Sequence, residues 1–454
     1  MATQTAVGRT AIPSAQNNGE PPRDPQSRIP AMFRALRSRN YRLFFSGQII
    51  SLIGTWMQSV AQSWLVYRLT GSSLLLGLVG FAGQIPVFLL ASIGGMVADR
   101  RSRYRIVIAT QTTAMLLAFI LSGLTLLGHI KVWEIMLVAS CLGVVNAFDI
   151  PTRQAFVVEM VGQQDLINAI ALNSAMVNGA RILGPAVAGI TVAAIGEGWC
   201  FFANGVSYIA VIVGLLLMRV APRPRHNHRS GLQSLVEGFQ WVARTAPIRS
   251  LLLLLGLVSL TGMPYVVLMP IFADRVLHSG ARGLGLLMGA TGVGALGGTL
   301  ALAARHGVRG LGRWVMFAAM GFGVALILFS FSHWFWLSIL FLMPAGFALI
   351  LQMASSNTLI QSMVPDELRG RVMAVYSMMF MGMAPFGALL AGAIAQHVGA
   401  PITVRLGGIV SLAGGAVFAL LWPSMRAEAR QLILAQSAAA GGTGNREQGT
   451  GNRG

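Results

Sequence analysis

What this chain has least of is charge. Only 10% of its 454 residues are charged and 55% are hydrophobic, whereas a soluble domain carries about 25% charged residues. So few charges cannot cover a water-facing surface, which leaves lipid as the solvent for most of the exterior. Acids are scarcer still. Fourteen Asp and Glu stand against 33 Lys and Arg, for a formal net charge of +19. Lys131 is the only lysine, so the basic side chains are arginines. A balance this positive suits nucleic acid when the charges share one surface. Here the arginines fall in the gaps between apolar runs, so no nucleic-acid partner is expected; this is the positive-inside pattern of a polytopic membrane protein.

Other absences narrow the class further. There are two cysteines, Cys141 and Cys200, both in or at the edge of apolar runs, so no disulfide framework and no metal-ligand spacing exist. No nucleophile motif and no glycine-rich phosphate loop is present. An enzyme is therefore not expected, nor any metal or cofactor. Residues 1–33 are rich in Pro, Gln and Asn without an apolar core. They are read as an unstructured N-terminal segment and not as a signal peptide. The small, polar residues near the other end mark 424–454 as a largely disordered tail.

What the chain does have is long apolar runs. A bilayer-spanning helix needs about 20 such residues. The runs are Leu43–Tyr67, Leu74–Ala98, Ile106–Leu127, Val132–Asp149, Ser174–Ile195 and Cys200–Met218, then Ile248–Ala273, Leu284–Ala304, Trp314–Phe331, Trp336–Ile360, Val372–Gln396 and Val404–Leu421. The fold expected is an all-α polytopic membrane protein with about twelve transmembrane helices in two pseudo-symmetric six-helix bundles, 34–219 and 248–423. Between them, 220–247 is a basic linker. Its Leu232, Leu235, Val236, Phe239 and Val242 recur at helical spacing on one face, as in an interfacial helix. Alternate gaps are arginine-rich, among them those holding Arg34 to Arg42, Arg100 to Arg105, Arg223 to Arg229 and Arg369 with Arg371. These gaps, both termini and the linker are expected in the cytoplasm. The halves also repeat. A shift of about 203 residues lays Gly94-Gly95 on Gly297-Gly298 and Ala188-Gly189 on Ala391-Gly392, while Asp99 falls opposite Leu302. Such parallel repeats put a substrate path between the halves.

Two six-span halves, the linker, and the run Gly95-x-x-x-Asp99-Arg100-Arg101-x-Arg103 resemble the major facilitator superfamily, with a departure at Ser102, where that pattern has glycine. More narrowly, Phe33-Arg-Ala-Leu-Arg-Ser-Arg-Asn-Tyr-Arg42, Trp64-Leu-Val-Tyr-Arg-Leu-Thr70, Asp149-Ile-Pro-Thr-Arg153 and Leu166-Ile-Asn-Ala-Ile-Ala-Leu-Asn-Ser174 look like a branch of bacterial exporters. It is the enterobactin-exporter-like, or transmembrane secretion effector, branch of drug:proton antiporter-3 type. The resemblance implies a transporter of the inner membrane working by alternating access, a small-molecule substrate, proton antiport and a monomer. It also implies that Asp99 docks, in the outward-open state, on the start of the eleventh span. A latch is thus expected from Gly95, Asp99, Arg100, Arg103, Asp149, Arg153, Gly370 and Arg371. A solvated loop is the alternative for Asp99, and a structural anchor is the alternative for Asp149 with Arg153. The Gly184-Pro185 pair with Gly189 resembles the fifth-helix packing motif of facilitator-type antiporters; small residues let helices approach closely.

Polar side chains inside the spans mark the expected substrate cavity: Thr55, Gln58 and Gln62 on one stripe of the first span, Gln84 in the second, Arg181 in the fifth, and Gln352 and Asn357 in the tenth. Amides are costly against lipid. Hydrogen bonding between helices is the alternative for the amides, and snorkelling to the interface for Arg181. Acids inside the spans are missing apart from Glu134 and Asp149 at opposite ends of the fourth. An exporter of cationic compounds would want a buried counter-ion, so a neutral or anionic amphipathic substrate is expected. Import by the same fold and a non-transporting membrane sensor are the rival expectations.

Overall fold

The computed structural model describes residues 31–162, 164–219, 232–305 and 307–450. The first six long helices are α1 (Arg39–Thr70), α2 (Ser73–Arg100), α3 (Arg103–Leu126), α4 (Val132–Val161), α5 (Leu166–Ile195) and α6 (Glu197–Leu216). The linker helix is α7 (Leu232–Arg244). Then follow α8 (Ala246–Val276), α9 (Gly280–Ala303), α10 (Leu311–Phe331), α11 (Phe335–Met363), α12 (Asp366–Val398) and α13 (Ala400–Thr450). Among the described residues there is no strand. Eleven helices are long and apolar enough to cross a membrane. The twelfth span is α1, whose apolar character is diluted by the Thr55, Gln58 and Gln62 stripe. The spans form two six-helix bundles, α1–α6 and α8–α13.

Local chemistry sets the short turns. Ser38 caps α1 by accepting from the Tyr41 N–H. Gly71 ends α1 in the left-handed region at φ 60°, which glycine alone adopts without cost. Ser72 then caps α2 by accepting from the Leu75 N–H. Each turn reverses the chain, so successive spans alternate direction. The N-terminal residues, the linker and the tail share one end of the molecule, here the terminal end. Leu116, Ile120, Leu137, Phe317 and Leu420 face outward, as lipid requires. Trp133, Trp334 and Trp336 stand exposed where α4 and α11 start, at the opposite end. Aromatic residues favour that interfacial depth.

Several helices outrun their apolar segments. The fourth continues through Pro151 to Val161, and the fifth begins at Leu166, eight residues before the apolar run. The apolar run marks only the part in hydrocarbon; the polar turns beyond it remain helical in water. The same holds for α13, which carries on past Trp422. Met425 and Ala429 are buried and Leu432 and Ile433 pack against the C-terminal core. The expected boundary at 423 therefore falls inside a packed helix, and the disordered tail expected from 424 is corrected to that extent. The N-terminal segment expected to be unstructured lies, up to residue 30, outside the described residues. In α7, Val242 is buried while Val236 and Phe239 stay exposed; the side chains of Leu232 and Leu235 lie outside the described residues. The helix packs on the start of α12, where Gly238 meets the Arg371 backbone and Glu237 pairs with Arg371.

The repeat is visible in how glycines seat the helices. A Cβ at Gly143 of α4 would fall 2.4 Å from the Gly83 carbonyl oxygen of α2. One at Gly346 of α11 would fall 2.0 Å from the Thr291 carbonyl oxygen of α9. Within each half, the same helix pair is thus in backbone contact through glycines about 203 residues apart. The halves meet each other in the same manner. On α5 and α9, Gly189 faces Gly285, whose added Cβ would come 2.4 Å from the Pro185 oxygen and 2.9 Å from Gly189 Cα. On α2 and α12, Gly77 faces Gly392, whose Cβ would come 2.6 Å from the Ser73 oxygen and 2.9 Å from Gly77 Cα.

Both crossings sit at the end away from the termini, and polar contacts reinforce them there. The Tyr67 hydroxyl donates to Asp274 at 2.6 Å. Arg275 donates to the Gly71 carbonyl at 3.2 Å and lies over the Tyr67 ring. Ser72 and Ser73 both donate to Gln396 Oε1 at 3.2 Å. Toward the terminal end the halves part: an added Cβ at Gly95, Gly179 or Gly370 would meet nothing within 4 Å. A leucine at Gly285 has no room in the closed crossing. Gly285→Leu is expected to part the halves at that end, read as a longer spin-label distance between positions 195 and 282 by electron–electron double resonance.

Candidate functional site

Where the halves part, they leave a cavity of about 230 Å³. The N-terminal half contributes Trp56, Gln84, Arg181 and Pro185. The C-terminal half contributes more, from α8, α9, α11 and α12, including Ser259, Met263, Tyr265, Met288, Thr291, Met353 and Phe380. Arg181 lies eight residues before Gly189 on α5, and Gln84 seven residues after Gly77 on α2. The two glycine crossings therefore floor the cavity on the side away from the termini.

The cavity wall owes its shape to α8. That helix is interrupted twice by π turns, Val258–Gly262 and Phe272–Val276, with Pro264 between them and Pro270 inside the last helical piece. Proline removes a backbone donor and π turns recur at functional sites. Ser259 sits in the first π turn and donates to the Phe380 carbonyl at 2.5 Å, tying α8 to α12 behind the cavity. Met263, Pro264 and Tyr265 follow at once and line it. Sequence reasoning missed this helix as the main contributor. The signal was there in Gly262-Met263-Pro264 and Pro270, an interrupted apolar run of the kind that lines transporter sites.

Among the described residues, Arg181 is the only charged side chain lining the cavity. A Cβ on Gly292, halfway along α9, would fall 3.1 Å from the Arg181 carbonyl oxygen, and Trp56, halfway along α1, lies under the Arg181 side chain, so this residue stands near mid-depth. Snorkelling to the terminal end is beyond the reach of an arginine side chain. The guanidinium lies over the Trp56 ring, 5.3 Å from its centroid. Its Nε is buried and has no hydrogen-bond partner.

Of the residues expected to line a substrate cavity, the structure brings Gln84 and Arg181 together here. Thr55 and Gln58 turn instead toward α6. Gln58 accepts from Asn204 at 2.7 Å, and Thr55 lies 3.5 Å from the Tyr208 hydroxyl. These are helix–helix hydrogen bonds. Gln62 and Asn357 are half-buried and lie outside the lining; Asn357 bonds to Gln361 one turn on. Gln352 is fully buried, away from the cavity, and neither of its amide atoms has a partner. The packing motif divides its work. A Cβ at Gly184 would strike Trp56 and Ile53 of α1, so this residue seats α5 within its own half. Pro185 and Gly189 make the crossing to α9. The cavity methionines are Met263, Met288 and Met353.

At the terminal end the ion pairs of the described residues stay within one half or join the linker helix to it. Arg103 bridges Asp99 at 3.4 Å and Glu159 at 2.8 Å; it also donates to the Ala98 carbonyl. Glu159 was not singled out in the sequence, because its apolar run ends ten residues earlier, at Asp149. Asp149 is buried. It accepts from Thr110 at 2.8 Å and Gln111 at 2.9 Å and pairs with Arg153 at 3.2 Å. Because α4 stays helical through Pro151, Asp149 and Arg153 share one face. Arg100 is exposed. Across the gap, Gly370 is open and Arg371 is taken by Glu237. In this conformation Asp99 and the start of α12 are not in contact. Removing the Asp149 carboxylate strands Arg153, Thr110 and Gln111 together. Asp149→Ala is expected to lower the thermal unfolding midpoint in detergent, at a cost on the order of 3 kcal/mol, and Asp149→Asn to lower it less.

Comparison with known proteins agrees with this architecture. Residues 31–437 match the family model described as transmembrane secretion effector. The staphyloferrin A transporter of Staphylococcus aureus (strain NCTC 8325 / PS 47) is 27% identical over 385 residues, covering 83% of this chain and 95% of the relative. The enterobactin exporter EntS of Shigella boydii serotype 4 (strain Sb227) is 23% identical over 391 residues, covering 85% and 92%. Among solved structures, the nucleoside transporter NupG superposes with a TM-score of 0.66 at 15% identity, over 85% of this chain and 99% of that one. A bacterial homolog of the human lysosomal transporter Spinster, inward-facing and unoccupied, gives 0.64 at 15% identity, over 89% and 98%. These two show the fold. With two six-helix bundles, a cavity between them and a family match over nearly all of its described length, this multi-pass membrane protein is a transporter and belongs to the transmembrane secretion effector family of the major facilitator superfamily.

Proposed function

We propose that this protein is a bacterial inner-membrane secondary transporter that exports small amphipathic molecules, drug-like compounds or siderophores, by alternating access with proton antiport. The observation that carries the reading is the cavity floored by two glycine crossings on one side and approached through parted halves on the other. With the arginine-rich gaps in the cytoplasm, that cavity faces inward, as an exporter collecting cytoplasmic substrate requires. Two relatives whose names specify siderophores, one of them an exporter, support both the substrate class and the direction.

Alternating access needs the closed end to open and the open end to close. On opening outward, Tyr67 leaves Asp274, and the Gly189–Gly285 and Gly77–Gly392 crossings separate. On closing inward, Asp99 exchanges Arg103 for the start of α12 at Gly370 and Arg371. Two features support that exchange. The carboxylate can cap the positive end of α12, and Glu159 remains to neutralise Arg103 once Asp99 leaves. Asp149, the buried carboxylate of the N-terminal half, is the candidate proton site.

Three measurements test this reading. Everted vesicles from expressing cells should accumulate substrate and lose that uptake when the proton gradient is collapsed; accumulation only in right-side-out vesicles would instead make the chain an importer. Asp149→Asn should uncouple flux from the gradient, and coupling left intact would remove Asp149 from the mechanism. Asp99→Asn should reduce flux several-fold while membrane protein level and substrate binding stay near those of the native chain; an equal loss of level and flux would make the loop purely topogenic.

A further inference from the structure

Arg181 presents a charge without a counter-charge. Every residue around the cavity other than Arg181 is neutral. The buried acids of the described residues are engaged elsewhere: Asp149 with Arg153, and Glu197 with Arg68 at 2.7 Å. Among the acids that touch the closed end, Asp274 is held by Tyr67. A cation at mid-bilayer depth is expensive and is ordinarily paired. What this chain supplies is a face contact with Trp56. That contact offsets part of the cost and leaves the edge of the guanidinium free.

We infer that Arg181 is the anion seat of the transport cavity and that its ligand is an amphipathic monocarboxylate with an apolar, aromatic body. A guanidinium held over an indole face keeps its N–H groups in its own plane, where a carboxylate accepts two parallel hydrogen bonds along the edge. The floor limits how far the head can travel, since Pro185 and the α5–α9 crossing lie just beyond. The body meets Met263, Met288, Met353 and Phe380. Methionine adapts to varied apolar shapes, so the wall is permissive while the head is selective. One seat with no second cation beside it sets the charge at one. This inference rests on the cavity being the transport site and sharpens what enters it.

The test compares 2-naphthoate with 2-naphthamide, a neutral ligand of the same shape. Both are titrated calorimetrically against the full chain in phosphatidylcholine nanodiscs, with empty nanodiscs as the baseline for partitioning. The native chain is expected to bind naphthoate roughly tenfold more tightly than naphthamide, the ratio that one charge-assisted contact supplies. Arg181→Gln should bring the ratio to about one. Arg181→Lys keeps the charge but not the paired geometry and should fall between; it also serves as the informative variant if Arg181→Gln does not fold. Equal binding of the two ligands to the native chain, no saturable naphthoate binding, or a ratio unchanged in Arg181→Gln or, where only that variant folds, in Arg181→Lys, overturns the inference. Binding is read at equilibrium without a gradient. Loss of flux with the ratio intact would therefore count against the transport cycle and not against the anion seat.

Discussion

Everything in this molecule hangs on backbone meeting backbone at two places. Gly189 against Gly285 and Gly77 against Gly392 let α5 touch α9 and α2 touch α12 with no side chain between them. In lipid there is no hydrophobic force to press helices together, and van der Waals contact of this closeness takes its place. Because both crossings lie at the same end, they act together as one closed gate. They hold the halves together there, leave them apart at the other end, and fix the depth of the cavity. The same device inside each half, Gly143 of α4 against α2 and Gly346 of α11 against α9, keeps each bundle rigid enough to move as a unit. Stiff halves joined by bare backbone are well suited to rocking, since separating them breaks only a few polar contacts, among them Ser73 to the Gly392 carbonyl and Tyr67 to Asp274.

Much of this was legible in the sequence. The apolar runs showed the spans, and the repeat laid Gly189 on Gly392, the two glycines that turn out to occupy matching crossings. What was not legible came from two physical causes. Apolar runs report hydrocarbon depth and not helix length. Glu159 was therefore overlooked on the polar turns of α4, and Arg181, two turns into its run, read as able to reach the interface until its packing on Trp56 and Gly292 placed it between the halves. Polar stripes report that a side chain needs a partner without saying which. Thr55 and Gln58 found theirs in Tyr208 and Asn204 of the same half, while Gln84 came to face the cavity. The interruption of α8 was written in Gly262, Pro264 and Pro270, yet a proline within an apolar run does not reveal that π turns will form around it.

The two halves have diverged in where they keep charge. The repeat that aligns the glycines also aligns Asp149 with Gln352, and Arg153 with Ser356. In the N-terminal half that place holds an ion pair fastened by Thr110 and Gln111. In the C-terminal half it holds neutral groups, with Gln352, Ser355 and Ser356 buried and unbonded to protein. Buried amides and hydroxyls in this condition are the usual berth of internal water. One bundle thus carries the ionic machinery and the other a neutral counterpart, the same asymmetry by which Asp99 has no acidic twin at Leu302.

The unpaired arginine at mid-depth also makes the carrier an electrical object. Moving one elementary charge across a membrane is worth about 2.3 kcal/mol per 100 mV, and a charge held midway feels roughly half of that as the halves rock around it. With a carboxylate seated on Arg181 the pair is neutral, and the loaded carrier reorients without sensing the voltage. Empty, it carries a positive charge that a potential negative on the side of the termini draws back toward that side. If the cycle runs as proposed above, voltage then acts on the stroke made without the carboxylate and leaves the loaded stroke untouched.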